Sequence, residues 1–328
     1  MSTIALTVCE ERFPVAGRFT ISRGSRTEIR VVTATLAAGG LVGRGECVPY
    51  ARYGETVESV IETIQGVAED LRQGLDRAAL QQRLPAGAAR NALDCALWDL
   101  EARQSGKPVW ALAGLAAPAP ITTAYTLSLG EPAEMRERAA ENAHRPLLKV
   151  KLGSSGDLAR IEAVRAGAPE AAIIVDANEG WSVDEYAALA PEFVRLGVAL
   201  VEQPFPADAD AALAAIDRVL PVCADESCHD SATLGGLVGK YDAINIKLDK
   251  TGGLTEALRL KRQAVAAGFE IMVGCMLGTS LSMAPAQLLA QDVRYVDLDG
   301  PLLLARDRDG AIRYEGSLMA PASSSFWG

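Results

Sequence analysis

The sequence predicts a (β/α)-barrel preceded by a smaller α+β domain, and three observations carry that expectation. Short apolar runs recur eight times at intervals of about 25 residues through the last two thirds of the chain, the length of a strand plus its crossover helix. Before them, an opening with strand-like alternation gives way to helical periodicity. Almost every later apolar run also ends on a charged residue. At 328 residues, 49% of them hydrophobic, the chain is long enough for one large α/β core with a partner unit.

Apolar and polar residues alternate through 2–8 and 30–36, with Gly39 and Gly40 as a turn, which predicts antiparallel strands. Helical spacing follows over 57–74 and again over 88–104, where Leu93, Ala96, Leu97 and Leu100 mark one face. The Ala- and Pro-rich stretch 114–120 reads as a linker. The eight strand candidates beyond it are 122–127, 147–152, 172–177, 199–202, 222–225, 243–248, 270–274 and 295–298. An open doubly wound sheet is the competing arrangement, but no GxGxxG opens a helix after the first strand.

Composition narrows the function classes. A formal charge of −10 repels phosphate backbones and anionic lipid surfaces, so nucleic acid is not an expected partner. The first residues lack a basic segment followed by an apolar one, and no uncharged apolar stretch approaches the roughly 20 residues that span a bilayer. Six scattered cysteines without a CxxC pair read as reduced, buried thiols of a cytoplasmic protein. Only His144 and His229 are present, too few for a His-rich zinc site.

In a barrel of parallel strands, chemistry gathers at the C-terminal strand ends. Those ends carry Thr126, Lys149 with Lys151, Asp176, Glu202, Asp225 with Glu226, Lys247, Cys275, and Asp297 with Asp299. Asp176, Glu202 and Asp225 end the third, fourth and fifth strands, so their carboxylates can converge on one hard cation. Oxygen-only ligation favours Mg²⁺, with Mn²⁺ as the alternative, one ion per subunit. Any one acid alone reads as a helix cap; three on consecutive strands, flanked by lysines, do not.

Lys151 ends the second strand and Lys247 the sixth, opposite positions in an eight-membered ring. Two ammonium groups thus aim at one point from two sides. Lys149 points the same way as Lys151, and their like charges should lower the proton affinity of at least one. A carboxylate substrate losing its α-proton beside a cation would gain Lewis-acid stabilisation of the enediolate, with Lys149 adding a charge-assisted hydrogen bond. One lysine removing the proton and the other returning it gives epimerisation or racemisation.

The stretches KVKLG, VDANEGW, VEQPF, CADES and INIKLDKTGGLTEAL resemble the muconate-lactonizing subgroup of the enolase superfamily, a superfamily known for a Lys or His base beside Mg²⁺. RGSR, RGECVPYARYGE, LPAGAARNALDCALWDLEA, GCMLGTS and DLDGP resemble the dipeptide epimerases within it, the L-Ala-D/L-Glu epimerases of bacterial murein-peptide breakdown. The resemblance implies a modified barrel, (β/α)7β, over 116–308, and a capping domain over 1–115 joined by 309–328. It implies Lys151 and Lys247 as the acid/base pair, Asp176, Glu202 and Asp225 as magnesium ligands, and Lys149 on the substrate carboxylate. Asp297 and Asp299 would hold the α-ammonium of a dipeptide. Thr126, Cys275, Met276 and Leu277 would line the same site. Capping loops around 23–26 and 49–54 would read the side chain through Arg23 or Arg26, whose fork suits a carboxylate. The subgroup often forms higher oligomers, which makes a homo-oligomer the expectation. Two alternatives stay open: another subgroup reaction (N-acylamino-acid racemase, o-succinylbenzoate synthase or muconate cycloisomerase), or a barrel that binds without turnover. Trp181 reads as core, and His229 as a hydrogen-bonded loop residue.

Overall fold

The computed structural model describes residues 3–153 and 155–328. Strand-forming sequence first builds a three-stranded antiparallel sheet from Ala5–Ile21, Gly24–Ala38 and Leu41–Cys47, turned at Gly39 and Gly40, whose φ angles are 60° and 81°. The first two strands run far beyond the expected 2–8 and 30–36, of which Ser2 lies outside the described residues. At and beyond the expected ends, Glu10, Arg12 and Arg30 pair with one another on the solvent face, Arg30 Nε lying 2.7 Å from Glu10. Cys9 is exposed on this edge strand and Cys275 only half-buried; the other four thiols are buried as expected, and all six are free.

The helix Val57–Gln65 starts at a Thr56/Ser59 capping box and ends at Gly66, so the helix expected over 57–74 is two pieces, the second being Ala68–Arg72. Ala88–Ser105 packs across the sheet at very short range. A Cβ on Gly45 would stand 2.1 Å from the Ala92 carbonyl oxygen. The stretch 114–120 forms neither helix nor strand.

Eight parallel strands follow: Tyr125–Leu127, Leu147–Lys151, Ala172–Asp176, Val198–Glu202, Val222–Ala224, Ala243–Ile246, Glu270–Gly274 and Tyr295–Asp297, each beside its neighbours in chain order. Ala124 N–H donates to Val296 O at 2.8 Å and joins the last strand to the first. The expected strand over 122–127 is interrupted, because Ile121–Thr122 pairs antiparallel with Leu318–Met319 instead. Period-2 alternation sends Ile174, Leu200, Cys223, Ala243 and Met272 into the barrel lumen as one apolar layer. The opposite faces pack against the helices Pro132–Glu141, Asp157–Gly167, Val183–Arg195, Leu254–Ala266 and Ser280–Leu289.

Two of the expected crossover helices are 3₁₀ turns, Asp210–Ala214 and Leu234–Leu237. Pro206 and Pro221 bracket the first, and Gly235, Gly236 and Gly239 weaken helix in the second. Among the described residues no α-helix follows the eighth strand before the tail, only the 3₁₀ turn Gly300–Leu303, in keeping with the (β/α)7β form. The tail runs back to the antiparallel sheet: Arg308 pairs with Glu11 and Glu46, and Trp327 Nε1 donates to Arg44 O. Among the described residues no helix is long and apolar enough to cross a membrane.

Candidate active site

The alternation that fills the lumen continues upward, so the inward position after each apolar residue falls at the strand end. Ile174 is followed by Asp176, Leu200 by Glu202, Cys223 by Asp225 and Ala243 by Asn245 and Lys247; Lys151 pairs in register with Asp176, and Asp176 with Glu202. All are buried. One oxygen from each of Asp176, Glu202 and Asp225 lies within 4.8 Å of the other two.

Unpaired charges in such a site would cost several kcal/mol each, and the chain neutralises them internally. Lys151 Nζ lies 2.6 Å from Asp176, and Lys247 Nζ 2.6 Å from Asp225, on opposite sides of the acid cluster. Lys149 Nζ is 2.5 Å from Glu202, 2.8 Å from Asp297 and 3.4 Å from Asp176. Burial disfavours the charge on Lys149, but Asp297, Glu202 and Asp176 outweigh it and hold its pKa well above the usual lysine value. Lys247 is raised in the same way, burial being overcome by Asp225 and Glu202. For Lys149 the neighbouring ammonium expected to depress it is outweighed by the carboxylates at contact distance. Burial raises Asp176, yet Lys151 and Lys149 bring it down to about 2, whereas burial together with Asp176 pushes Glu202 up to about 7.

The donor set fits a hard divalent cation. It is all oxygen, it converges, and Glu202 Oε2 is buried without a well-directed hydrogen bond even though Lys149 Nζ stands 2.5 Å away.

Asp297 and Asp299 are both buried at the eighth strand. Asp297 Oδ2 takes Lys149 while its Oδ1 has no partner among the described residues. Asp299 accepts the backbone N–H of Thr126 at 2.6 Å, and burial plus Asp297 push its carboxyl up to about 7. Thr126 thus stands beside Asp299. Cys275, Met276 and Leu277 line the cavity over the lysines together with Arg23 and Arg26, which reach it from the hairpin between the first two strands. Burial, then Asp297 and Asp299, raise the Cys275 thiol, which makes it a poor nucleophile.

Arg23 is occupied. It bonds to Glu226 at 2.7 Å, Tyr50 Oη and Asn178 O at 3.0 Å, and Glu179 at 3.4 Å. Arg26 has no such partner among the described residues and lines the same cavity. Arg52 also grips Glu179 through Nε and Nη2, each at 2.8 Å, so two loops of the antiparallel sheet unit are clasped to the barrel mouth.

Several residues here went unread in the sequence. Asn245 donates to Glu202, Lys250 binds Asp225, and Asn178 and Tyr53 line the cavity. The alternation in AINIK offered a signal for Asn245, as an inward polar residue one pair below Lys247. Lys250, past the strand end, offered none. Trp181 is core, its indole N–H on Asp157 at 2.8 Å, and His229 bonds Glu226 O while packing on Tyr53, both as read. A separate groove by Trp110, Pro118 and Trp327 lies away from these residues.

Comparison with known proteins agrees with this geometry. The family model for the mandelate racemase/muconate lactonizing enzyme N-terminal domain matches residues 3–114, and the enolase C-terminal domain-like model matches residues 132–315. The chain is 48% identical to an L-Ala-D/L-Glu epimerase of Escherichia coli K12 over 94% of its length and 96% of the relative's. It is 44% identical to an N-acetyl-D-glutamate racemase of a Pseudoalteromonas species over 91% and 95%. A solved structure of an enolase family member from Agrobacterium tumefaciens, with homology to dipeptide epimerases and holding sodium and L-Ala-L-Glu, superposes with a TM-score of 0.97 at 56% identity, covering 99% of this chain and 100% of that one. The chain therefore belongs to the mandelate racemase/muconate lactonizing enzyme family of the enolase superfamily, on its dipeptide-epimerase side.

Proposed function

We propose that this chain epimerises the C-terminal residue of a dipeptide, L-Ala-D-Glu to L-Ala-L-Glu foremost. The observation that carries the reading is the pair of buried lysines, Lys151 and Lys247, flanking three convergent carboxylates from opposite strands. One Mg²⁺ per subunit, replaceable by Mn²⁺ and held by Asp176, Glu202 and Asp225, would supply charge neutralisation to the substrate carboxylate.

The chain's own residues do the rest. Lys151 and Lys247 stand on the two faces of the reacting carbon, one taking the α-proton and the other delivering one to the opposite face. The raised basicity of Lys247 here reflects carboxylates that the ion would engage. Lys149 keeps its charge and donates to the substrate carboxylate. Asp297, with its unpartnered Oδ1, and Asp299 accept the three donors of the dipeptide ammonium. Arg26, uncommitted where both terminal nitrogens of Arg23 are bonded, meets the side-chain carboxylate of the C-terminal Glu. In Arg26→Met, KM for L-Ala-L-Glu should rise about tenfold or more while that for L-Ala-L-Ala stays near wild type; equal rises for both would return the role to Arg23.

Solvent deuterium should enter the Glu α-position when the protein is incubated with Mg²⁺ and L-Ala-D-Glu in D₂O, read by mass spectrometry. Absence of exchange with every dipeptide in a library would sink the reading. The 44% identical N-acetyl-D-glutamate racemase supports a second reading, an N-acylated amino acid without a free ammonium. Asp297→Asn and Asp299→Asn decide between them: loss of dipeptide turnover supports the first, unchanged dipeptide turnover the second.

We further propose that 1–115 with 309–328 form the cap and 116–308 the catalytic barrel, supported by the N-terminal match over 3–114 and, for the tail, by Trp327 donating to Arg44 O; limited proteolysis cutting first outside 114–120 would count against it. A cytoplasmic place in murein-peptide turnover is part of the same proposal, supported by the epimerase relative; unchanged murein peptides in a deletion strain would remove it.

A further inference from the structure

This inference rests on reading the acid cluster as a metal site. Each of its three carboxylates has one oxygen already held by a fixed donor of the chain. Asp176 Oδ1 accepts the backbone N–H of Asn178 at 2.9 Å, Glu202 Oε1 accepts Asn245 Nδ2 at 2.7 Å, and Asp225 Oδ1 accepts Lys250 Nζ at 2.6 Å. Asn178 makes its bond from a left-handed conformation, φ 47°, which turns its N–H back toward Asp176. Lys250 and Asn245 are fully buried and take no part in the proposed proton transfer. Lys250 also donates to the carbonyls of Asp225 at 2.5 Å and Asn245 at 3.0 Å, so all three of its donors are committed.

The other oxygen of each acid faces one of the three lysines of the site. Asp176 Oδ2 is 2.6 Å from Lys151, Asp225 Oδ2 is 2.6 Å from Lys247, and Glu202 Oε2 is 2.5 Å from Lys149. The inner wall of the barrel thus holds one oxygen of each acid at hydrogen-bond distance, Glu202 Oε1 keeping Lys247 Nζ only at 3.9 Å, and leaves the other toward the lysines.

We propose that Asn245 and Lys250 are positioning residues that limit Glu202 and Asp225 to a single ligating oxygen each, and so select Mg²⁺ over Ca²⁺. Mg²⁺ requires near-ideal six-fold coordination by single oxygens and waters, whereas Ca²⁺ takes six to eight oxygens and gains from carboxylates bound through both. The Lys250 ammonium, at contact distance from Asp225 Oδ1, also repels any cation that approaches that oxygen. Freeing either back oxygen opens two-oxygen ligation and favours the larger ion.

The test is isothermal titration of the EDTA-stripped full-length protein with MgCl₂ and with CaCl₂, for wild type, Lys250→Met and Asn245→Leu. The ratio of the two affinities is the readout, because a general loosening of the site weakens both ions together. In each variant the ratio should move toward Ca²⁺ by about tenfold. Metal binding by wild type with an unchanged ratio in the variants overturns this inference and leaves the proposed function standing. No binding of either ion by wild type removes the metal site itself, and with it the proposed function. The two variants act on different acids, so one that fails to fold leaves the other decisive. Crystals of the wild type grown with Mg²⁺ give a check without substitution: two-oxygen ligation by Glu202 or Asp225 would refute the assignment.

Discussion

Lys151 and Lys247 each contact a different carboxylate, and that asymmetry makes their roles separable. Replacing either by Ala should slow epimerisation by at least about 100-fold, the ordinary worth of a positioned acid or base. Each variant should still exchange the α-proton of one stereoisomer, the one facing the surviving lysine, and not of the other. Separate exchange measurements on L-Ala-D-Glu and L-Ala-L-Glu check this; a variant that exchanges both at wild-type rates would exclude its lysine from proton transfer. The strand-end residues were legible because period-2 alternation fixes which side chains face inward, and a charge at the end of an apolar run stands out. Lys250 and the Arg23 contacts were not legible, since they depend on how a post-strand turn and a distant hairpin close on the site. The sign of the shift at Lys149 was not legible for the same reason: it depends on carboxylates whose distances only the fold sets.

At the level of elements, the barrel strands were readable from spacing, while the crossover segments were less so. Helix-capable composition does not ensure a helix where glycines or bracketing prolines shorten it, as at Leu234–Leu237 and Asp210–Ala214. The first strand outran its expected end because paired surface charges can sit on a sheet's solvent face. The contact between Leu41–Cys47 and the helix Ala88–Ser105 is one that a sequence does not announce, and it sets a sharp requirement. Gly45→Ala would drive a methyl group to 2.1 Å from the Ala92 carbonyl, so the helix must shift. The expected loss is about 3 kcal/mol, measurable as a lower thermal midpoint, whereas an unchanged midpoint would mean that the helix is free to move.

For the molecule as a whole, charges buried between the two units tie stability to pH. Asp94, on the helix Ala88–Ser105, is fully buried and accepts the Thr255 backbone N–H at 2.9 Å and Gln81 at 3.0 Å. Burial raises its pKa from 3.8 to about 6. The native state therefore binds more protons than the unfolded chain between those values. This stabilisation is fully present below the unfolded pKa and is lost as pH rises through about 6. Over that window the wild type should lose roughly 3 kcal/mol that Asp94→Asn does not. Urea denaturation of both from pH 4 to 7 measures the difference in slope, and parallel curves would contradict the assignment. The groups proposed to react ride on barrel strands, while Arg23 and Arg26 ride on a hairpin of the antiparallel sheet. Selection can consequently reshape what is admitted through that hairpin and leave the inherited proton-transfer apparatus untouched.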